Sequence, residues 1–128
     1  MTESNWLAKR WSSFRTDRQR IGDEGEEQAL LHLSEHGLRL VERNFLCKGG
    51  EIDLIMRDQN YLVFVEVRKR QNGDYGGALA SITWAKQKRL VFAAQVYLKQ
   101  CKPIPPCRFD VVCIQDEQVQ WLKNVIDS

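Results

Sequence analysis

No stretch of the chain approaches the ~18 consecutive apolar residues of a membrane span. The first 30 residues also lack the apolar core of a secretory signal. No C-x-x-C pair exists among the four cysteines at 47, 101, 107 and 113, and Cys113 falls inside an apolar run, residues 109–114. That pattern argues against a disulfide framework or a cysteine zinc site, and for reduced thiols in a cytosolic protein. Charge of one sign is scarce too: 19 Lys and Arg stand against 17 Asp and Glu, a net +2 at pH 7. A balance so mild names no partner by itself. What is present is ordinary for a globular protein: 43% hydrophobic and 28% charged residues in 128. At roughly 150 residues per domain this is one domain with one real core, which excludes disordered and fibrous classes.

The even total hides local asymmetry. Residues 1–20 hold five cations against two carboxylates, with Trp6, Leu7, Trp11 and Phe14 interspersed. They read as a basic N-terminal arm, able to dock on the domain or to touch phosphate, ahead of a single domain over residues 21–128. A helix is expected over 22–36, with Asp23 and Glu24 in its first turn and Gly37 as its stop. Three strands follow, at 38–47, 51–57 and 61–69, the last two joined by a short turn at Asp58-Gln59-Asn60. Residues 71–77, with Asn72 and three glycines (Gly73, Gly76 and Gly77), form a loop able to close over a ligand. A second helix at 83–100 carries Leu90, Ala93, Ala94, Tyr97 and Leu98 at helical spacing and ends at three clustered prolines. Strands at 108–115 and 119–122 complete the order helix, three strands, helix, two strands. The expected fold class is α/β, a sheet flanked by helices.

Three sets of residues stand out chemically. On a helical wheel Glu26 lies in the middle of the apolar face made by Gly22, Gly25, Ala29, Leu30 and Leu33. A carboxylate aimed at the sheet needs a partner there, either a salt bridge or a functional group. Alternation places Glu51, Asp53 and Ile55 on one face of their strand, with Ile52, Leu54 and Met56 on the other. A two-residue turn at 59–60 sets Asp53 across from Glu66 and Glu51 across from Arg68. Directly opposed Cβ atoms are only about 4.5–5.5 Å apart, so two carboxylates there repel. A divalent cation with its preference for hard oxygens would hold them together; neutralisation by basic neighbours is the alternative. Between residues 66 and 89, the cations Arg68, Lys69, Arg70, Lys86, Lys88 and Arg89 face only two carboxylates. Three of these cations occupy the first turns of the second helix, where the macrodipole disfavours them unless an anion such as phosphate is bound. His32 and His36, at i and i+4, read as helix-surface residues, because no third ligand lies nearby.

Five segments together resemble one family. They are Gly22-x-x-Gly25-Glu26, Gly50-Glu51-Ile52-Asp53-Leu54-Ile55, Val63-Phe64-Val65-Glu66-Val67-Arg68, Lys86-Gln87-x-Arg89-Leu90 and Arg108-Phe109-Asp110-Val111-Val112. In this order they resemble the YraN-like bacterial family of predicted endonucleases. That family is similar to the Holliday-junction resolvases of the restriction-endonuclease-like, PD-(D/E)xK superfamily, and the likeness spans about residues 20–126. The resemblance implies a three-layer core with a mixed sheet between helices. It further implies Mg²⁺ (or Mn²⁺) on Asp53 and Glu66, a site completed by Glu26, and a superfamily lysine at position 68. This chain has Arg68 there, with Lys69 next. DNA, branched or damaged, would be the partner, held by Lys86, Lys88, Arg89, Lys69 and Arg70, and a two-fold homodimer would suit a branched substrate. A nucleic-acid-binding repair protein that keeps the fold and cuts weakly or not at all is the second reading. An interaction module with a vestigial site is the third.

Overall fold

The computed structural model describes residues 17–70 and 82–126, with side chains from residue 24 onward. The glycine loop and all but the last four residues of the basic arm lie outside this range. Helix α1 spans Asp17–Glu35 and so begins five residues before the expected start. Its end is a Schellman motif: the N–H of Leu38 reaches the Leu33 carbonyl at 3.1 Å, and the N–H of Gly37 reaches that of Ser34. Gly37 takes φ +93°, a conformation that glycine adopts without strain. Leu38 and Leu33, both buried, make the accompanying apolar contact.

Strands β1 (Arg39–Cys47), β2 (Gly50–Asp58) and β3 (Tyr61–Arg70) form an antiparallel meander. Helix α2 (Trp84–Leu98) crosses over to β4 (Cys107–Gln115), which lies parallel to β3, and β5 (Gln118–Leu122) pairs antiparallel with β4. The sheet is therefore mixed, in the order β1-β2-β3-β4-β5. Thr83 caps α2: its Oγ1 accepts the Lys86 N–H at 3.2 Å, and its carbonyl accepts that of Gln87 at 3.0 Å.

Two apolar clusters fill the molecule, one on each face of the sheet. Ala29 and Leu33 of α1 pack with Leu54, Met56, Val63, Val65, Val112 and Ile114. On the other face, Leu90, Ala93 and Ala94 of α2 pack with Ile52, Ile55, Leu62, Phe64, Phe109 and Val111. That is the three-layer α/β architecture, and its central strands are apolar on both faces as a doubly covered sheet requires. One fully buried carboxylate interrupts the apolar run of β4. Asp110 accepts hydrogen bonds from Arg108 Nε, from Trp121 Nε1 at 2.9 Å and from the Asn124 N–H at 2.9 Å. Arg108 in turn reaches Asp58 at 2.9 Å, so one charge network ties β2, β4, β5 and the segment after β5 together.

Candidate functional site

The strict alternation expected of β2 fails at one residue. Leu54 and Met56 pack on the α1 face and Ile55 on the α2 face, as a regular strand demands. Ile52, which a period of two would place beside Leu54, packs instead on the α2 face. The neighbouring strand does the same one rung across. Arg43 reaches Glu26 and Glu27 of α1, while Phe45 meets Tyr97 of α2 edge-on, with ring centroids 5.3 Å apart. Between Arg43 and Phe45 stands Asn44 at φ +52°, and between Leu54 and Ile52 stands Asp53. Both strands thus turn over by half a period at this rung, and asparagine is a residue that tolerates the left-handed turn.

The slip sends the Asp53 side chain neither up nor down but toward the neighbouring strand. The β2–β3 ladder runs in the expected register from Asp58↔Tyr61 to Leu54↔Val65. Beyond it, the N–H of Val67 donates to Asp53 Oδ2 at 2.8 Å, where a backbone carbonyl would otherwise serve. The Asp53 and Glu66 side chains lie together, close enough that each influences the other's ionisation. Two sequence expectations are corrected here. Asp53 does not simply share a face with Ile55, because the pleat breaks at Asp53. Glu51 does not pair with Arg68 across the hairpin but lies 3.7 Å from Arg89 on α2.

Two glycines bring the helices to this rung. A Cβ on Gly50 would sit 2.4 Å from the Arg89 carbonyl oxygen and 3.0 Å from Ala93 Cβ, so only glycine lets α2 lie this close to the start of β2. On the other face, a Cβ built on Gly25 would stand 3.2 Å from Lys69 Cβ. That close approach carries the next residue, Glu26, to the end of β3. Its carboxylate is 14% exposed and lies 4.0 Å from Arg43.

The result is a cavity of about 220 Å³ at one end of the sheet. Glu26, Glu51, Asp53 and Glu66 supply carboxylates to its wall, and Arg68, Lys69, Lys86 and Arg89 supply cations. Seven of the nine residues singled out from the sequence meet here. Lys88 does not: its Nζ lies over the Trp84 ring, 5.1 Å from the centroid. Arg70 is buried at the end of β3, outside the cavity lining. Lys69 extends to Glu24 at 3.6 Å.

Burial and mutual repulsion govern the acids. Burial pushes the Glu66 carboxyl up to about 8, the Asp53 charge adds to the rise, and Lys86 and Arg68 oppose it. Burial likewise raises Asp53, the Val67 N–H opposes that rise, and Glu51 adds to it. Both acids are thus harder to ionise than free carboxyls. A divalent cation fits the same place, because the donors are hard, buried oxygens whose repulsion it would relieve. Among the described residues no third acid joins closely enough to complete a ready-made cage. Such a pair suits Mg²⁺, which keeps several waters and rarely takes an all-protein shell.

The comparison with known sequences bears on exactly this region. The family model described as "Uncharacterised protein family UPF0102" matches residues 25–114, from the α1 glycine through β4. This chain belongs to the UPF0102 family. A UPF0102 protein of Janthinobacterium sp. (strain Marseille) is 57% identical over 114 residues, covering 89% of this chain and 93% of its own. Those of Herminiimonas arsenicoxydans and Dechloromonas aromatica are 56% and 55% identical over 89% and 84% of the chain, and 92% and 88% of their own lengths. The UPF0102 match thus includes Glu26, Asp53, Glu66, Arg68 and the first turns of α2, and leaves residues 1–24 outside.

Two further residues stand out in the structure and are not announced by spacing. Asp110 is one, and its signal is an acid inside an otherwise apolar run. Trp84 is the other: it opens α2 in water, 70% exposed.

Proposed function

We propose that this UPF0102 protein is a cytosolic Mg²⁺- or Mn²⁺-dependent endonuclease that hydrolyses phosphodiester bonds in branched or damaged DNA. The observation that carries the reading is the Asp53–Glu66 pair. Two acids are buried against each other at the one rung where both strands leave their regular pleat, and four cations surround them. A structural role would be served by an ion pair, and repulsion between buried acids is better explained by chemistry. The resemblance to the PD-(D/E)xK superfamily points the same way, residue by residue, except at Arg68.

Asp53 and Glu66 would hold the metal, and Glu26 would orient a water or a second ion. Bound there, a divalent cation supplies Lewis acidity toward water and the phosphate. Arg68 presents a permanent positive charge to the phosphate as negative charge develops on it. Lys86 and Arg89 hold the DNA backbone without reading its sequence. The Val67 N–H holds one oxygen of the Asp53 carboxylate, which restrains the group at the cavity wall. The test is a Mg²⁺ or Mn²⁺ cleavage assay on linear, flapped and four-way DNA. The parent should cut at least one substrate, and Asp53→Ala should cut none. Binding without cleavage in either metal would favour a non-cutting nucleic-acid-binding protein.

A further inference from the structure

We infer that Trp84 is a stacking platform for an unpaired DNA base, so that DNA brought to the carboxylate cavity is single-stranded where it crosses the outer face of α2. The inference rests on reading that cavity as a DNA site, and it names the form of DNA taken. Trp84 has no part in the core. On α2 it lies half a turn around from Ala93, a residue at the centre of the buried face, and 70% of its surface meets water. An indole so exposed presents a large apolar ring that no apolar side chain among the described residues covers.

Its surroundings are those of a polyanion site. Lys88, one turn on, lies over the ring, an arrangement in which cation and aromatic face attract. Lys86 and Arg89, from the same two turns, line the cavity that holds Asp53 and Glu66. Across its fifteen residues α2 carries these three cations and no carboxylate. Phe92, two turns beyond Trp84 and about 12 Å along the axis, continues the line, 45% exposed and with its ring edge against Gly49. The stripe therefore reads aromatic, basic, aromatic, with Arg89 next to Phe92 around the helix and Lys86 on the side away from Trp84.

Positive charge alone would grip any DNA through its phosphates. The aromatic rings add a preference, because bases in an intact duplex are already stacked and paired. An unpaired base is free to lie on an indole, and each such contact is worth about 1–3 kcal/mol. An acidic protein segment would be drawn by the same charges but would not favour one DNA form over another.

Fluorescence anisotropy in EDTA, with a labelled oligothymidylate and a hairpin duplex of matched charge, separates these effects. Trp84→Ala should weaken oligothymidylate binding about tenfold and duplex binding by less than about twofold, while Trp84→Phe stays close to the parent on both. Lys86→Ala should weaken both alike. Equal loss on the two DNA forms, no loss on oligothymidylate, or a parent that binds neither would overturn the platform. The cleavage assay keeps the two claims apart. Cutting that needs Asp53 but ignores Trp84 overturns the platform alone. Trp84-dependent single-strand binding by a protein that cuts nothing supports the platform and removes the nuclease.

Discussion

A carboxyl group that keeps its proton to about pH 8 makes the metal-free protein most stable in mild acid. Glu66 titrates near 4.5 in an open chain and near 8 in the fold, so the native state binds more protons than the unfolded state between those values. Stability gained from this group is complete below pH 4.5 and is lost as pH rises through 8. Asp53, also raised, acts in the same sense. Urea unfolding in EDTA should therefore show stability falling between pH 5 and pH 8 by more than about 1 kcal/mol. Glu66→Gln, which keeps shape and drops the charge, should flatten that fall. Arg68 is the other residue with a directional expectation. An arginine stays charged at every working pH, while a desolvated lysine can shed its proton and assist a water. Arg68→Lys should accordingly raise the single-turnover rate of metal-dependent cleavage, and Arg68→Ala should lower both cleavage and DNA affinity. A folded Arg68→Lys protein that cuts more slowly than the parent would make the guanidinium itself a working part.

At the scale of elements, the site is made by where strands and helices approach. Gly50→Ala should cost about 2–3 kcal/mol, read as a lower urea midpoint, because its methyl would collide with backbone on α2 and push Lys86 and Arg89 off the cavity. Replacing Lys86, Lys88 and Arg89 together should weaken binding to all DNA sequences and flatten the salt dependence by roughly 2–3 units of slope. Much of this arrangement is legible in the sequence. The two-residue turn at 59–60 sets the β2–β3 register, and the apolar spacing of α1 aims Glu26 inward, where it is found. The slip at Asp53 is not legible, because counting by twos assumes an unbroken pleat. Its cause lies partly on another strand, in the left-handed turn of Asn44, and a hairpin read in isolation does not contain it. The separation of Lys88 from Lys86 and Arg89 is within reach of a helical wheel, which puts Lys88 about 160° from Lys86 and about 100° from Arg89. What no wheel supplies is Trp84 as the surface that Lys88 covers.

For the whole molecule, net charge says little and its distribution says more. A total of +2 coexists with a cavity in which four acids and four cations face one another. Two cores hold that cavity from opposite faces of one sheet, so strain at the acids is opposed by the packing of both helices. Among the described residues no helix is long and apolar enough to cross a membrane. The central claim is that buried repulsion between Asp53 and Glu66 is relieved by a divalent cation. Binding restricted to the native state raises stability by mass action, and here it must displace a proton. The most direct test is the melting temperature against Mn²⁺ concentration, at pH 8 and pH 5.5, for the parent and for Asp53→Asn. The account predicts a rise of several degrees in the parent at millimolar Mn²⁺, larger at pH 8. It predicts no rise in Asp53→Asn, whose metal-free stability should equal or exceed the parent's at pH 8. A parent whose melting temperature ignores millimolar Mn²⁺ at both pH values would contradict it.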